Sequence, residues 1–309
     1  MSQLNITVIV PSYNPVASYL ETALNSLKNQ TLPLEDWELI IVDNNSNNNV
    51  LQTIDLTWHP NAKLINESKQ GLTHSRVTGV NNANANIIVM VDDDNILANS
   101  YLETVLHHFN NNPNIGAIGG KIKGLFIDSA PDPWTEIFWS MLAIRDFGGH
   151  ALVSDANLLS GYPNFAPVGA GLSIRKQLFF EYSTSLNTAD MITDRSAGNL
   201  ASGGDNEINI QILKQGFALA YFPDLELDHI IPASRLTATY LSKLNYESSK
   251  SWVRLLLKHN ICPWAMINTN TLILRKIKAW FKYKPWSGPI AYINWNGACG
   301  TFEALAGQK

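Results

Sequence analysis

Three adjacent carboxylates, Asp92, Asp93 and Asp94, follow directly on the apolar run Ile87–Val91. Four of those five apolar residues are β-branched, which predicts a strand buried on both faces in the middle of an α/β sheet. The carboxyl end of such a strand is where open α/β sheets bind ligands. Hard carboxylate oxygens suit Mg²⁺ or Mn²⁺, which take few protein carboxylates and complete their shells with phosphate oxygens and water. The expected chemistry is a metal–diphosphate site. The plain structural alternative is a solvated turn, since three like charges repel.

Other acids stand at comparable places. Asp43 ends the apolar run Leu39–Val42, and Asp205 sits in Ser202-Gly-Gly-Asp-Asn-Glu207 just before a helical pattern of Ile208, Ile212 and Leu213. Asp228 and His229 follow a short strand expected over Phe217–Phe222. A histidine beside an acid can complete a metal site, or it can be an ordinary core or surface pair.

The elements that must position these groups read as alternating strand and helix. Ile6–Val10 is a first strand, halted by Pro11-Ser-Tyr-Asn-Pro15. Leu20, Ala23, Leu24 and Leu27 have helix spacing, and a further helix is expected over Leu72–Asn82. A weaker strand is expected over Lys63–Ile65. Ser100 and Glu103 have the spacing of a capping box ahead of Leu102, Val105, Leu106 and Phe109. Ile115–Ile122 is another strand, and Gly216 a helix stop. The alternation predicts a doubly wound, mostly parallel sheet flanked by helices. Between Leu125 and Pro167 the periodicity lapses, and aromatic residues such as Trp134, Phe138 and Tyr162 form either a cap or an acceptor-binding wall.

A chain of 309 residues with 45% hydrophobic and 16% charged residues is globular rather than disordered. Ile6–Val10 is too short for a signal peptide, and no apolar window of transmembrane length exists. Cys262 and Cys299 are too few for a disulfide framework, so a cytoplasmic location is expected. Charge is unevenly spread. Residues 1–234 hold 11 Lys+Arg and 24 Asp+Glu, whereas residues 235–309 hold 11 Lys+Arg and 2 acids. The expected division is therefore a catalytic domain over 1–234 and a basic, aromatic, mainly helical extension over 235–309.

Taken in order, Val8-Ile-Val-Pro-Ser-Tyr-Asn14, Ile40-Ile-Val-Asp-Asn-Asn-Ser46, Gly71 with Arg76, Val91-Asp-Asp-Asp94, Gly169-Ala-Gly171 and Gly203-Gly-Asp-Asn-Glu207 resemble family-2 glycosyltransferases of the GT-A fold. That resemblance implies an inverting, metal-dependent enzyme that uses a nucleotide-diphosphate sugar, commonly UDP-linked, and a glycan or lipid-linked acceptor. It implies that Pro11 and Tyr13 lie near the base and Asp43 near the nucleoside. Asp92 would lie near the ribose, with Asp93 beside it among the donor-binding residues. Asp94 and His229 would hold Mg²⁺ or Mn²⁺, and Asp205 would act as the catalytic base. Arg76 occupies the family's basic position, although Ser75 and Val77 depart from the pattern around it. Gly204 stands where the family usually has Glu. Gly171 would let the donor approach the backbone, and Arg235 is the cation best placed in sequence to assist the diphosphate.

Two other classes remain at this stage. A nucleotidyltransferase would want a Gly- and Lys/Arg-rich loop after its first strand, and Pro11–Pro15 contains none of these. A non-catalytic sugar-nucleotide or glycan-binding module is the other. Nucleic acid is not an expected partner, because residues 1–234 are acidic. The stretch Thr271–Trp286 holds five basic residues and no acid, interleaved with Leu, Ile, Trp and Phe. It predicts a helix that either lies on an anionic membrane surface or packs on the domain.

Overall fold

The computed structural model describes residues 4–157, 161–184, 200 and 203–307. These residues form two compact units. The first comprises Met1–Leu125, Ala143–Met191 and Asp205–Ile230, and the second comprises Phe126–Leu142, Ile192–Gly204 and Ile231–Lys309. The boundary expected from charge, after residue 234, falls within the short turn Ala233–Leu236.

In the first unit, strands β1 (Ile6–Ser12), β2 (Trp37–Asp43), β3 (Ala62–Asn66) and β4 (Ile87–Met90) are parallel, in the order β3-β2-β1-β4. Their alternating side chains feed two cores. Val8, Val10, Leu39, Ile41 and Val89 face one core, while Ile9, Ile40, Val42, Ile88 and Met90 face the other. Helices α1 (Ala17–Lys28) and α3 (Tyr101–Asn111) cover the first core through Leu20, Leu27, Leu102 and Phe109. Helices α2 (Leu72–Asn81), α4 (Lys176–Thr184) and α5 (Gly204–Lys214) cover the second through Val80, Phe179 and Ile212. Burial on both faces is why these strands read as unbroken apolar runs.

The parallel majority expected for the sheet is confined to this half. Short strand β5 (Asn95–Leu97) and long strands β6 (Ile115–Ile127) and β9 (Ala218–Pro232) extend the sheet, with β7 (Leu152–Val153) and β8 (Ser173–Arg175). Strand β8 pairs antiparallel with both β4 and β6, and β5 and β7 pair antiparallel with β9. The sheet is therefore mixed. Strict alternation of strand and helix lapses after α3, because β6, β7 and β8 follow one another with no α-helix between them among the described residues, and β8 runs antiparallel to both its neighbours.

Several boundaries differ from expectation for local reasons. Pro11 lies inside β1 rather than ending it. Ile9 O accepts from Val91 N on the β4 side, whereas Ser12 O accepts from Asn44 N on the β2 side. By alternation the missing N–H of Pro11 falls on the β4 side, beyond the last β4 pair, Ile9 with Met90, so no ladder bond is lost. Ser100 makes no side-chain cap, and Glu103 instead accepts from Thr31 Oγ1 at 2.7 Å. The capping box is not formed. Asp228 and His229 do not follow a strand but lie within β9, far longer than Phe217–Phe222. Ser202 lies outside the described residues.

In the second unit, helices α6 (Ala238–Lys258), α7 (Leu272–Tyr283) and α8 (Pro289–Leu305) pack together. Gly300 lets α8 approach α6, since a β-carbon there would stand 2.2 Å from Tyr246 O. Glu303 of α8 accepts from Tyr246, Lys250 and Lys276, which ties the three helices at one carboxylate. Among the described residues no helix is long and apolar enough to cross a membrane.

Candidate functional site

Parallel strands in register deliver their carboxyl ends to one edge. Ser12 pairs with Asp43 at the ends of β1 and β2, and Ile9 pairs with Met90, two residues before Asp92. The acids at these ends are therefore neighbours by construction. Ser12 Oγ donates to Asp93 Oδ2, joining the first loop to the acidic triplet. The triplet is folded as a tight turn in which Asn95 N donates to Asp92 O and Asp92 N donates to Asn95 Oδ1. Asp93 thus has a structural partner, while Asp94 is turned into the fold and buried.

Pairing of Asn95 with His229 in β5 and β9 brings the expected metal pair together. His229 Nε2 lies 3.4 Å from Asp94 Oδ2, and both side chains are largely buried. Asn95 Nδ2 holds the other oxygen, Asp94 Oδ1, at 3.2 Å. Among the described residues no group of three or more His, Cys, Asp or Glu is gathered for a metal. One carboxylate and one imidazole still suit Mg²⁺ or Mn²⁺ where a ligand's phosphate oxygens complete the shell.

Asparagines fasten the loops around this edge, where the run Asn44–Asn49 reads from sequence as a loop and cap. Asn14, at φ +49°, receives Asn47 N and Asn48 N on Oδ1, and its own N–H donates to Ser46 Oγ. Asn44 accepts from Gly71 N at 2.7 Å and donates to Lys69 O at 2.8 Å. Asp43 Oδ1 accepts from Ser46 N at 2.8 Å. The high Asn content of residues 44–49 was the available signal, because Asn both bonds backbone and tolerates left-handed φ. Pro11 is buried and Tyr13 is exposed.

The turn Gly169–Leu172 closes the other side. Gly171 N donates to Met90 O and Met90 N to Leu172 O, so the turn continues the edge of β4. Gly171, at φ +73°, is required by packing: a β-carbon there would meet Tyr101 Oη at 2.5 Å and Leu227 at 2.6 Å. Gly169 N donates to Asp205 Oδ2 at 3.0 Å, and Asn206 N donates to Asp205 Oδ1 at 2.9 Å. Asp205 therefore both caps the first turn of α5 and reaches the glycine turn. Each carboxylate oxygen keeps a lone pair for a further partner. Arg76 is buried with its guanidinium against Gly169, where a β-carbon would stand 2.4 Å from Nη2.

Around Asp205 lies a polar cluster in which Tyr162, expected from sequence only as part of an aromatic cap or acceptor wall, takes part through its hydroxyl. Tyr162 Oη donates to Asn206 Oδ1 at 2.6 Å and accepts from Asn209 Nδ2 at 3.1 Å. Burial raises the Tyr162 hydroxyl well above its ordinary value, with the nearby Asp205 charge adding to this. Arg145, held by paired backbone bonds to Ile122, is the cation facing Asp205. Burial lowers its guanidinium, and the Asp205 charge opposes that shift. The first unit thus assembles Asp43, Asp92, Asp93, Asp94, His229, Gly171, Arg76 and Asp205. Arg235 belongs to the second unit, in the turn Ala233–Leu236.

A mixed α/β sheet with acids gathered at the carboxyl ends of its parallel strands is the architecture of GT-A nucleotide-sugar transferases. Residues 7–150 match the model of glycosyl transferase family 2, and that match together with the chain's glycosyltransferase relatives marks it as a glycosyltransferase. It is 23% identical over 237 residues to the glucosyl-dolichyl phosphate glucuronosyltransferase of Haloferax volcanii, covering 73% of this chain and 69% of that protein. Among solved structures it resembles a mannosyltransferase from Pyrobaculum calidifontis in complex with GDP-Man and Mn²⁺, with TM-score 0.61 and 17% identity over 99% of this chain and 88% of that one. It also resembles TarS of S. aureus in complex with UDP, with TM-score 0.52 and 12% identity over 98% of this chain and 90% of that one. The two structural likenesses concern the fold. The family match separates the chain from the nucleotidyltransferases considered above.

Proposed function

We propose that the chain transfers a sugar, with inversion, from a UDP-linked donor to a hydroxyl of a glycan or lipid-linked acceptor, in cell-surface polysaccharide synthesis. The observation that carries this is the convergence of Asp43, the Asp92–Asp94 turn, His229 and the Asp205-bearing glycine turn on one sheet edge. In this reading Pro11, Tyr13 and Asp43 bound the nucleoside, and Asp92 lies nearest the ribose. Asp93 and Gly171 shape the donor pocket from behind, through Ser12 and Tyr101. Arg76 is the candidate diphosphate cation of the first unit. The UDP of the TarS structure and the dolichyl phosphate in the name of the Haloferax relative favour this donor and acceptor class.

Asp94 and His229 would hold Mg²⁺ or Mn²⁺, which when bound neutralises charge on the diphosphate leaving group. Asp205 takes the proton of the acceptor hydroxyl as the acceptor oxygen bonds to the anomeric carbon. The bond from that carbon to the diphosphate breaks on the opposite face, and the electron pair leaves with the nucleotide. Arg145 and the Tyr162–Asn206–Asn209 network hold the Asp205 turn in place. The basic extension is a separate module from the catalytic domain, and the two free cysteines suit a cytoplasmic setting.

The test is turnover with a panel of nucleotide sugars and glycan or polyprenyl-phosphate acceptors, reading both nucleoside diphosphate and product anomer. Release of UDP with an inverted product is expected. A retained anomeric configuration would refute inversion, and no turnover with any donor would leave a binding module.

A further inference from the structure

Helix α7 turns the wrong side outward for a helix that only packs on its own domain. At 100° per residue its side chains fall into three sectors. Leu272 and Ala279 are buried on the inner face, where Lys276 also reaches Glu303. Ile273, Leu274, Ile277, Trp280 and Phe281 share the opposite face, with Ile273 74% and Phe281 63% exposed. Arg275, Lys278 and Lys282 line one flank between them. Just past the helix, Lys284 adopts a left-handed φ of +51° and Pro285 stops it. That turn swings Trp286, 57% exposed, against Trp280 with ring centroids 4.2 Å apart. The apolar face is thereby extended by an indole rather than closed.

We infer that this face of α7, with Trp286, is a docking surface for an anionic lipid bilayer, on which the helix lies flat. Three observations select that occupant. The exposed residues are the aliphatic and aromatic types that enter the headgroup boundary, to about 5–10 Å. Cations flank the apolar face, and residues 271–286 contain no acid, which complements anionic headgroups. A second copy packed antiparallel on this face would bring Arg275, Lys278 and Lys282 of both copies to one side of the pair, which is repulsive. The helix is also too short and too charged to span the membrane, so contact is peripheral and salt-sensitive.

The experiment is co-sedimentation of the full chain with phosphatidylcholine vesicles, with and without phosphatidylglycerol, over a salt series and without donor or acceptor. Binding to the anionic vesicles that weakens as salt rises is expected, with little on the neutral ones. Ile277→Glu/Phe281→Glu should abolish it. Both residues are exposed, so an unchanged melting temperature should show the fold intact. Arg275→Gln/Lys278→Gln/Lys282→Gln should lower anionic partition by on the order of a hundredfold. Binding undiminished in the double variant, salt-independent partition to both vesicle types, or none to either overturns the inference. So does self-association that the double variant abolishes while vesicles go unbound. Because no substrate is present, failure here leaves the transferase reading untouched, and a dead transferase leaves this one untouched.

Discussion

Two apolar stretches in this chain are used in opposite ways. Strand β4 buries every residue from Ile87 to Met90, and its only polar consequence is the acidic turn at its end. Helix α7 buries Leu272 and Ala279 and leaves the larger apolar residues in solvent. The first arrangement builds a site by delivering charge to the end of a rigid strand. The second presents a surface and lacks the buried polar groups that would define a site. Apolar content alone does not distinguish them. What does is whether both faces of the element meet protein.

The largest expected effect lies at the end of the buried arrangement. Asp205→Asn keeps the size of the side chain and its bond from Gly169 N but removes the base, so transfer should fall by about 10²–10⁴-fold with donor binding retained. Single-turnover kinetics beside donor titration checks both halves. Next is the strand itself. Ile88, fully buried, should cost about 2–5 kcal/mol as Ile88→Ala in chemical denaturation. Tyr162→Phe removes the hydroxyl shared by Asn206 and Asn209 and should cost about 1–3 kcal/mol.

The second unit carries a pH signature of its own. Burial raises the Glu303 carboxyl, but hydrogen bonds from Lys276, Tyr246 and Lys250 outweigh it and bring the group down to about 2 from an ordinary 4.5. A depressed carboxylate stabilises fully above its unfolded value, so this contribution should be lost as pH falls from about 4.5 to about 2. Thermal melts across that window should show a larger loss in wild type than in Glu303→Gln, since other carboxylates with lowered values, Glu38 among them, titrate in both proteins. The smallest effect belongs to the exposed face, where Ile273→Ala should change stability by no more than about 0.5 kcal/mol. A cost as large as that at Ile88 would mean that α7 packs on protein after all.

The buried strands were legible in the sequence because unbroken β-branched runs have one common use. Asp43, Asp94 and Asp205 were legible because an acid directly after such a run, or before a helix, is conspicuous. The antiparallel half was not, since β5, β7 and β8 have two or three residues each, too few to show a period. Nor was the capping box avoided by any visible cue: Glu103 was drawn away by Thr31, a partner 72 residues distant. Arg145 had no signal at all, because its approach to Asp205 depends on an isolated bridge to Ile122. The pairing of His229 with Asp94 could be expected only through the family resemblance, and the structure supplies its cause in the β5–β9 register.

The central claim is that the carboxyl edge of the parallel strands is a metal–diphosphate site. Calorimetric titration of UDP with and without Mn²⁺, on wild type and on Asp94→Ala, tests it most directly. Mn²⁺ should strengthen UDP binding to wild type and do nothing for Asp94→Ala, with the melting temperature of the variant nearly preserved. Equal metal stimulation in both proteins would contradict the account.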